Sequence, residues 1–87
     1  VGHGAVVHAC TVRQGALIGM NAVVLDGADI GEHAIVAAGA VVLAGTRVGP
    51  CEIWAGVPAR RVKVARPEQA GAYAEHYMYI KEWYRQP

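Results

Sequence analysis

A repeat of six residues runs through most of this chain of 87 residues. Each repeat carries a branched aliphatic residue, and one interval is five residues instead of six, between Val7 and Val12. The full series, which ends with a tryptophan, is Val1, Val7, Val12, Ile18, Val24, Ile30, Val36, Val42, Val48 and Trp54. A small residue follows four positions after each of the first eight members, at Ala5, Thr11, Ala16, Ala22, Ala28, Ala34, Ala40 and Thr46. No helical period produces this spacing, and a fixed short period is the signature of a solenoid.

Six residues of this kind describe one short strand followed by one corner. The β-branched residue favours a strand and faces inward, the small residue also faces inward, and glycine at a corner tolerates unusual backbone angles. Three strands close a triangular coil of about 18 residues, and successive coils stack about 4.8 Å apart. The repeat therefore predicts an all-β solenoid, a left-handed parallel β-helix of hexapeptide repeats with about three coils over residues 1–59. A β-sandwich is the alternative, but sandwich strands do not keep register through so many repeats.

The repeat fades after Cys51, and Gly56 and Pro58 end the strand pattern. We predict an exit linker over residues 60–66. It carries a loose basic cluster, which consists of Arg60, Arg61, Lys63 and Arg66. The cluster is interpreted either as a solvated edge or as a contact with an anion or another subunit.

Residues 67–87 are predicted to form a C-terminal α-helix. Pro67 suits a first helical position, and Glu68 suits the positive end of the helix. Apolar and tyrosine residues then recur at steps of three and four, at Ala70, Tyr73, Tyr77, Ile80 and Tyr84. We expect this stripe to pack on the coil or on a neighbouring subunit. Tyr77 is the one catalytic candidate, because a tyrosine hydroxyl at the edge of the stripe is able to reach a site.

Composition narrows the class of protein. The chain is 54% hydrophobic, yet no apolar run reaches the roughly 18–20 residues that a membrane-spanning helix needs. A net charge of +1 argues against nucleic-acid binding. Cys10 and Cys51 lack a metal or redox spacing and indicate reduced thiols. With no visible signal peptide, we expect a cytoplasmic protein without membrane or nucleic-acid partners, and no residue is assigned to an organic cofactor.

Two histidines carry the chemical signal. His3 and His8 lie five residues apart on either side of one corner, and the repeat places both on the outer surface. Outward directions on adjacent faces of a triangular prism diverge by about 120°, so one chain is poorly arranged to bind one ion with both rings. Side-by-side copies bring His3 of one chain towards His8 of the next, and a closed ring of three makes three equal clefts. Imidazole is a common zinc ligand, although two histidines at this spacing are also compatible with ordinary surface residues.

The run V-G-H-G-A-V-V-H-A-C (residues 1–10) resembles the ligand segment of the γ-class carbonic anhydrases, in which G-H is followed five residues later by H-G-C. Ala9 replaces the usual glycine. The segment I-G-M-N-A-V-V-L-D-G-A (18–28), the exit A-G-V-P-A-R (55–60) and A-E-H-Y (74–77) are also similar to that family, and the chain matches the C-terminal half of a full member.

This resemblance implies a homotrimer with zinc between subunits, held by His3 of one chain and His8 of its neighbour. It implies hydration of carbon dioxide to bicarbonate by zinc-bound hydroxide, a lyase activity. The family's third histidine ligand and its upstream arginine, aspartate and glutamine have no counterpart here, and Tyr79 stands where the family has an asparagine. We therefore expect weak or absent activity, with a metal site that is partly solvated or empty.

Two other functions fit the same residues. A hexapeptide-repeat acyltransferase uses a histidine in the cleft between subunits and an acyl-thioester cofactor, and the G-V-P-A-R exit suits this transferase-like alternative. A non-catalytic trimeric scaffold is the other alternative. Fold alone does not choose among the three.

Overall fold

The computed structural model describes residues 2–66, and these form a parallel β-helix of short strands. Val1 and residues 67–87 lie outside the described part, as do the predicted C-terminal helix and Tyr77. Eight strands contain two residues each: β1 (Val6–Val7), β2 (Thr11–Val12), β3 (Leu17–Ile18), β4 (Val23–Val24), β5 (Asp29–Ile30), β6 (Ile35–Val36), β7 (Val41–Val42) and β8 (Arg47–Val48). Two longer strands follow, β9 (Glu52–Ala55) and β10 (Arg60–Val64). Among residues 2–66 there is no helix able to cross a membrane.

Every third strand of the coil pairs in parallel, which produces three narrow sheets. Their strand orders are β1-β4-β7, β2-β5-β8 and β10-β9-β6-β3. Below the first coil the register advances by one full turn, as Leu17 pairs with Ile35 and Ile35 with Ile53. The predicted left-handed parallel β-helix is confirmed.

The five-residue interval of the sequence appears in the pairing of the first coil. Val6 pairs with Val23, whereas Thr11 pairs with Asp29, so the first coil is one residue shorter between β1 and β2. This shift changes one predicted position. Thr11 is exposed, and Cys10 instead packs against the core where a small residue is required.

The main core is a cluster of aliphatic side chains inside the tube, contributed by all three sheets. From Ile18 to Val48, every predicted aliphatic position is at most 1% exposed. Burial of each such side chain contributes roughly 1.5–3 kcal/mol. Small alanines complete the layers, at Ala22, Ala28, Ala34 and Ala40.

The corners require left-handed backbone angles, and three columns of residues provide them. Asn21 (φ 60°) and His33 (φ 59°) adopt these angles without being glycine, as asparagine and histidine do more readily than most residues. The backbone N–H of Asn21 donates to the backbone carbonyl of His3 one coil above, at 3.0 Å. The columns are Gly4–Asn21–Gly39, Ala9–Gly27–Gly45 and Gly15–His33–Cys51.

A hairpin ends the coil where the sequence predicts a linker. Residues 60–64 of that segment form β10, which pairs antiparallel with β9 and contains an irregularity between Arg61 and Lys63. Glu52 stabilises this end, because its carboxylate accepts from the Gly49 amide (2.8 Å) and from Trp54 Nε1 (2.9 Å). Arg61 approaches the same carboxylate at 3.5 Å.

The three sides of the prism differ in chemistry. The apolar face is the outer surface of β1-β4-β7 and its ends, formed by Val6, Val23, Leu25, Val41 and Leu43. The charged face is the outer surface of β2-β5-β8, formed by Thr11, Arg13, Asp29 and Arg47. On the third side, the outward residues Ile35 and Ile53 are buried and pack with Leu17 and Ala65.

Candidate functional site: a histidine pair flanking the apolar face

The two predicted ligands lie at opposite ends of the first strand of the apolar face. His3 lies three positions before the first residue of β1, and His8 follows the strand directly. Both side chains are exposed. No hydrogen bond or ion pair joins the two histidines among the residues that the structure describes.

The corner that follows His8 is one residue shorter than the corner one coil below it. The His8 amide donates to the Val24 carbonyl (3.3 Å), and the Gly27 amide donates to the Ala9 carbonyl (2.8 Å). Ala9 takes the left-handed corner angle (φ 50°) that Gly27 takes one coil below. Asp26, which precedes that glycine, therefore has no counterpart in the first coil.

His8 and Asp26 form a direct contact between coils. His8 Nδ1 lies 2.7 Å from Asp26 Oδ1. The hydrogen bond to Asp26, and then its negative charge, raise the pKa of His8 above its usual value, against a small opposing effect of desolvation. An ionised carboxylate only accepts hydrogen bonds, so Nδ1 is the donor. In the neutral ring, Nε2 then keeps its lone pair.

Asp26 is a site residue that no sequence motif singled out as a partner of His8. The period of the repeat does not predict this contact, because the shortened first coil places Leu25 one coil below His8 and leaves Asp26 as the additional residue of that corner.

A metal site cannot be assembled from one copy of residues 2–66. No group of three or more histidine, cysteine, aspartate or glutamate side chains in this part of the chain is arranged to hold an ion. Catalytic zinc typically uses three protein ligands and a water. Among the histidines of residues 2–66, His8 has the hydrogen bonding typical of a metal ligand, since ligating histidines usually donate their other ring nitrogen to a carboxylate or carbonyl.

The charged face carries a ladder of opposite charges beside a groove. Arg13 binds Asp29 through two hydrogen bonds of 2.9 Å, and this pairing lowers the pKa of Asp29. Arg47 stacks below Asp29 in the strand register. The groove has a volume of about 730 Å³, and Gln14 and Glu32 also line it.

The predicted basic cluster lies at the opposite end of the coil from the histidines. Arg60, Arg61 and Lys63 belong to β10 and are exposed, and Arg66 follows that strand. Arg61 forms an ion pair with Glu52. His33, the other described histidine, is exposed at a different corner.

Known proteins share this repeat and fold. The family described as bacterial transferase hexapeptide (six repeats) matches residues 9–44. The carnitine operon protein CaiE of Escherichia coli K12 is 49% identical over 63 residues, which cover 72% of this chain and 32% of CaiE. Residues 9–44 of this chain are thus similar to that hexapeptide-repeat family.

The resemblance to the γ-class carbonic anhydrases is confirmed at the level of homology. The mitochondrial γ carbonic anhydrase 2 of Arabidopsis thaliana is 45% identical over 69 residues, covering 79% of this chain and 25% of that protein. The crystal structure of a hexapeptide transferase family protein from Anaplasma phagocytophilum superimposes with a TM-score of 0.76 and 32% identity, over 97% of this chain and 52% of the other. This chain thus spans a quarter to a third of the length of the two curated relatives.

Proposed function

We propose that this hexapeptide-repeat protein forms a homotrimer through its apolar face and holds a divalent metal, zinc above all, in the clefts between copies. In each cleft His3 of one copy and His8 of the next bind the ion, in a site related to that of the γ-class carbonic anhydrases. The observation that carries the proposal is the position of the apolar face, which lies directly between the two histidines.

The exposed side chains of that face support an interface. Val6 is 53% exposed and Leu43 is 49% exposed, and the half-buried Val23, Leu25 and Val41 connect them. Contiguous exposed apolar surface marks an interaction site. The other two sides of the prism are less suited, since one carries charges and the other is already buried.

The ring geometry follows from the prism. If three triangular prisms each turn the same side towards a common axis, the corners at either end of that side meet the neighbouring copies. His3 and His8 lie near those two corners of the first coil. Each contact between copies then contains one imidazole of each kind.

The donor chemistry of the two histidines fits a divalent ion. Imidazole suits zinc and other first-row metals, and the bond from His8 to Asp26 leaves Nε2 available. A bound divalent metal with an open position would supply a coordinated water whose pKa is lowered to about 7 in favourable sites. His3 and His8 would bind, Asp26 would orient His8, and the apolar face would exclude water from one side.

Mass and metal content test the proposal together. Light scattering after gel filtration should give three times the chain mass of 9.2 kDa, and elemental analysis after mild dialysis should detect zinc. His3→Ala and His8→Ala should each lose the metal and keep the trimer. His33→Ala is the matched control, since it removes an exposed histidine at another corner. A monomer, or metal that survives both site substitutions, would overturn the proposal.

A hexapeptide acyltransferase is the second candidate. It is supported by the transferase hexapeptide match and by the transferase family membership of the Anaplasma protein. Calorimetry with coenzyme A distinguishes the two, because saturable binding in metal-free protein favours the transferase. A trimer that binds neither zinc nor coenzyme A would indicate a scaffold.

A further inference from the structure

We infer that Asp26 is a positioning residue, which fixes His8 in the tautomer that presents an unprotonated Nε2 to the cleft between copies. This role deepens the proposed metal site and rests on it for its functional meaning. The tautomer itself is a property of the single chain and is measurable without metal.

The placement of Asp26 depends on the short first coil. Because Ala9 occupies the corner immediately after His8, the chain turns away one residue earlier than it does after Leu25. The coil below contains one additional residue at this corner, and that residue is Asp26. Its carboxylate reaches Nδ1 at 2.7 Å, so the irregularity of the repeat creates the contact.

The contact selects one of two neutral tautomers. A neutral imidazole carries one N–H, and the bond made by one nitrogen determines which nitrogen binds a metal. The carboxylate requires Nδ1–H, and Nε2 remains as the ligand atom. A carboxylate behind a ligating histidine also fixes the ring orientation, and its loss typically weakens metal binding by 10- to 100-fold.

The pair contributes little to folding, which makes it testable. The side chains of His8 and Asp26 are 76% and 66% exposed, and exposed pairs of this kind have small effects on stability. Substitution of Asp26 should therefore leave the β-helix intact. Circular dichroism and the thermal midpoint check that expectation for each variant.

The first measurement is nitrogen NMR of the His8 ring in the metal-free protein, at a pH where the ring is neutral. Two-bond couplings should show Nδ1–H in the wild type and a mixture of tautomers in Asp26→Ala. Asp26→Glu should restore part of the preference. Asp29→Ala is the matched control, because it removes a carboxylate of the same coil that binds Arg13 instead of a histidine. An Nε2–H tautomer in the wild type would overturn the inference.

The second measurement is titration with Co²⁺, followed through its visible absorption. Asp26→Ala should bind cobalt about 10- to 100-fold more weakly than the wild type, and Asp29→Ala should match the wild type. Equal affinity in Asp26→Ala and the wild type would overturn the positioning role. If the wild type has the Nδ1–H tautomer but binds no cobalt, the proposed metal site is wrong and the tautomer assignment stands.

Discussion

At the scale of single residues, the sequence predicted the core well and the site only in part. The six-residue period identified the buried aliphatic core from Ile18 to Val48. It placed Thr11 inside the tube, because the count continued through the short corner, and the structure places Cys10 there instead. The contact between His8 and Asp26 arises because the first coil is one residue shorter at this corner, so the period did not predict it. Which atoms meet depends on the local register, which a period alone does not specify.

The His8–Asp26 pair predicts a pH-dependent stability difference. The pKa of His8 is raised in the folded chain, so the protonated ring is favoured by folding. The stabilisation is complete below the ordinary histidine pKa of about 6.5 and is lost as the pH rises through the raised value. We expect the urea midpoints of the wild type and Asp26→Asn to differ most near pH 5.5 and to converge by pH 8.5. A difference that is constant over this range would contradict the ion pair.

At the scale of elements, the stacking of coils limits which residues fit at each corner and strand end. The sequence predicted the parallel strands, and β10 was assigned to a linker because Gly56 and Pro58 interrupt the repeat. Strand β10 pairs antiparallel with its neighbour, and a hexapeptide count contains no signal for such a return. The Glu52 contacts to Gly49, Trp54 and Arg61 hold this hairpin at the end of the tube.

Two glycine substitutions distinguish the energetic effect of close contact between coils from the effect of the left-handed backbone angle at a corner. A Cβ added at Gly19 would collide with the backbone of Ala37 and Ala38 in the next coil, whereas a Cβ at Gly45 meets nothing within 4 Å. Gly45 has φ +75°, so an alanine there costs about 1–2 kcal/mol through its backbone angle. We expect Gly19→Ala to lower the free energy of unfolding by about 3 kcal/mol or more, as overpacking does. Urea unfolding measures the loss of unfolding free energy in both variants. A larger loss in Gly45→Ala than in Gly19→Ala would contradict the close stacking of coils at Gly19.

At the scale of the whole molecule, the three sides of the prism differ in the chemistry of their outward residues. The sequence indicated side-by-side assembly from the two histidines, but it did not reveal which side of the prism is apolar. That property depends on the outward residues of three strands taken together, such as Val6, Val23 and Val41. The same outward positions on the charged face carry Thr11, Asp29 and Arg47 instead.

A charge placed on the apolar face should dissociate the trimer. Leu43 is 49% exposed and lies on this face, so Leu43→Glu leaves the core of one copy unchanged while it opposes burial between copies. We expect the mass to fall from three copies to one with an unchanged circular dichroism spectrum. Val57→Glu is the control, because Val57 is 71% exposed and lies in the exit loop. A trimer that persists in Leu43→Glu would place the interface on another side.

The most direct test of a site shared between copies mixes two defective variants. His3→Ala and His8→Ala should each bind no zinc alone. When they are co-refolded into mixed trimers, a cleft formed by an intact His3 from one variant and an intact His8 from the other is complete. Random mixing should restore zinc to about a quarter of the wild-type content. No restored zinc in mixed trimers would contradict the shared site.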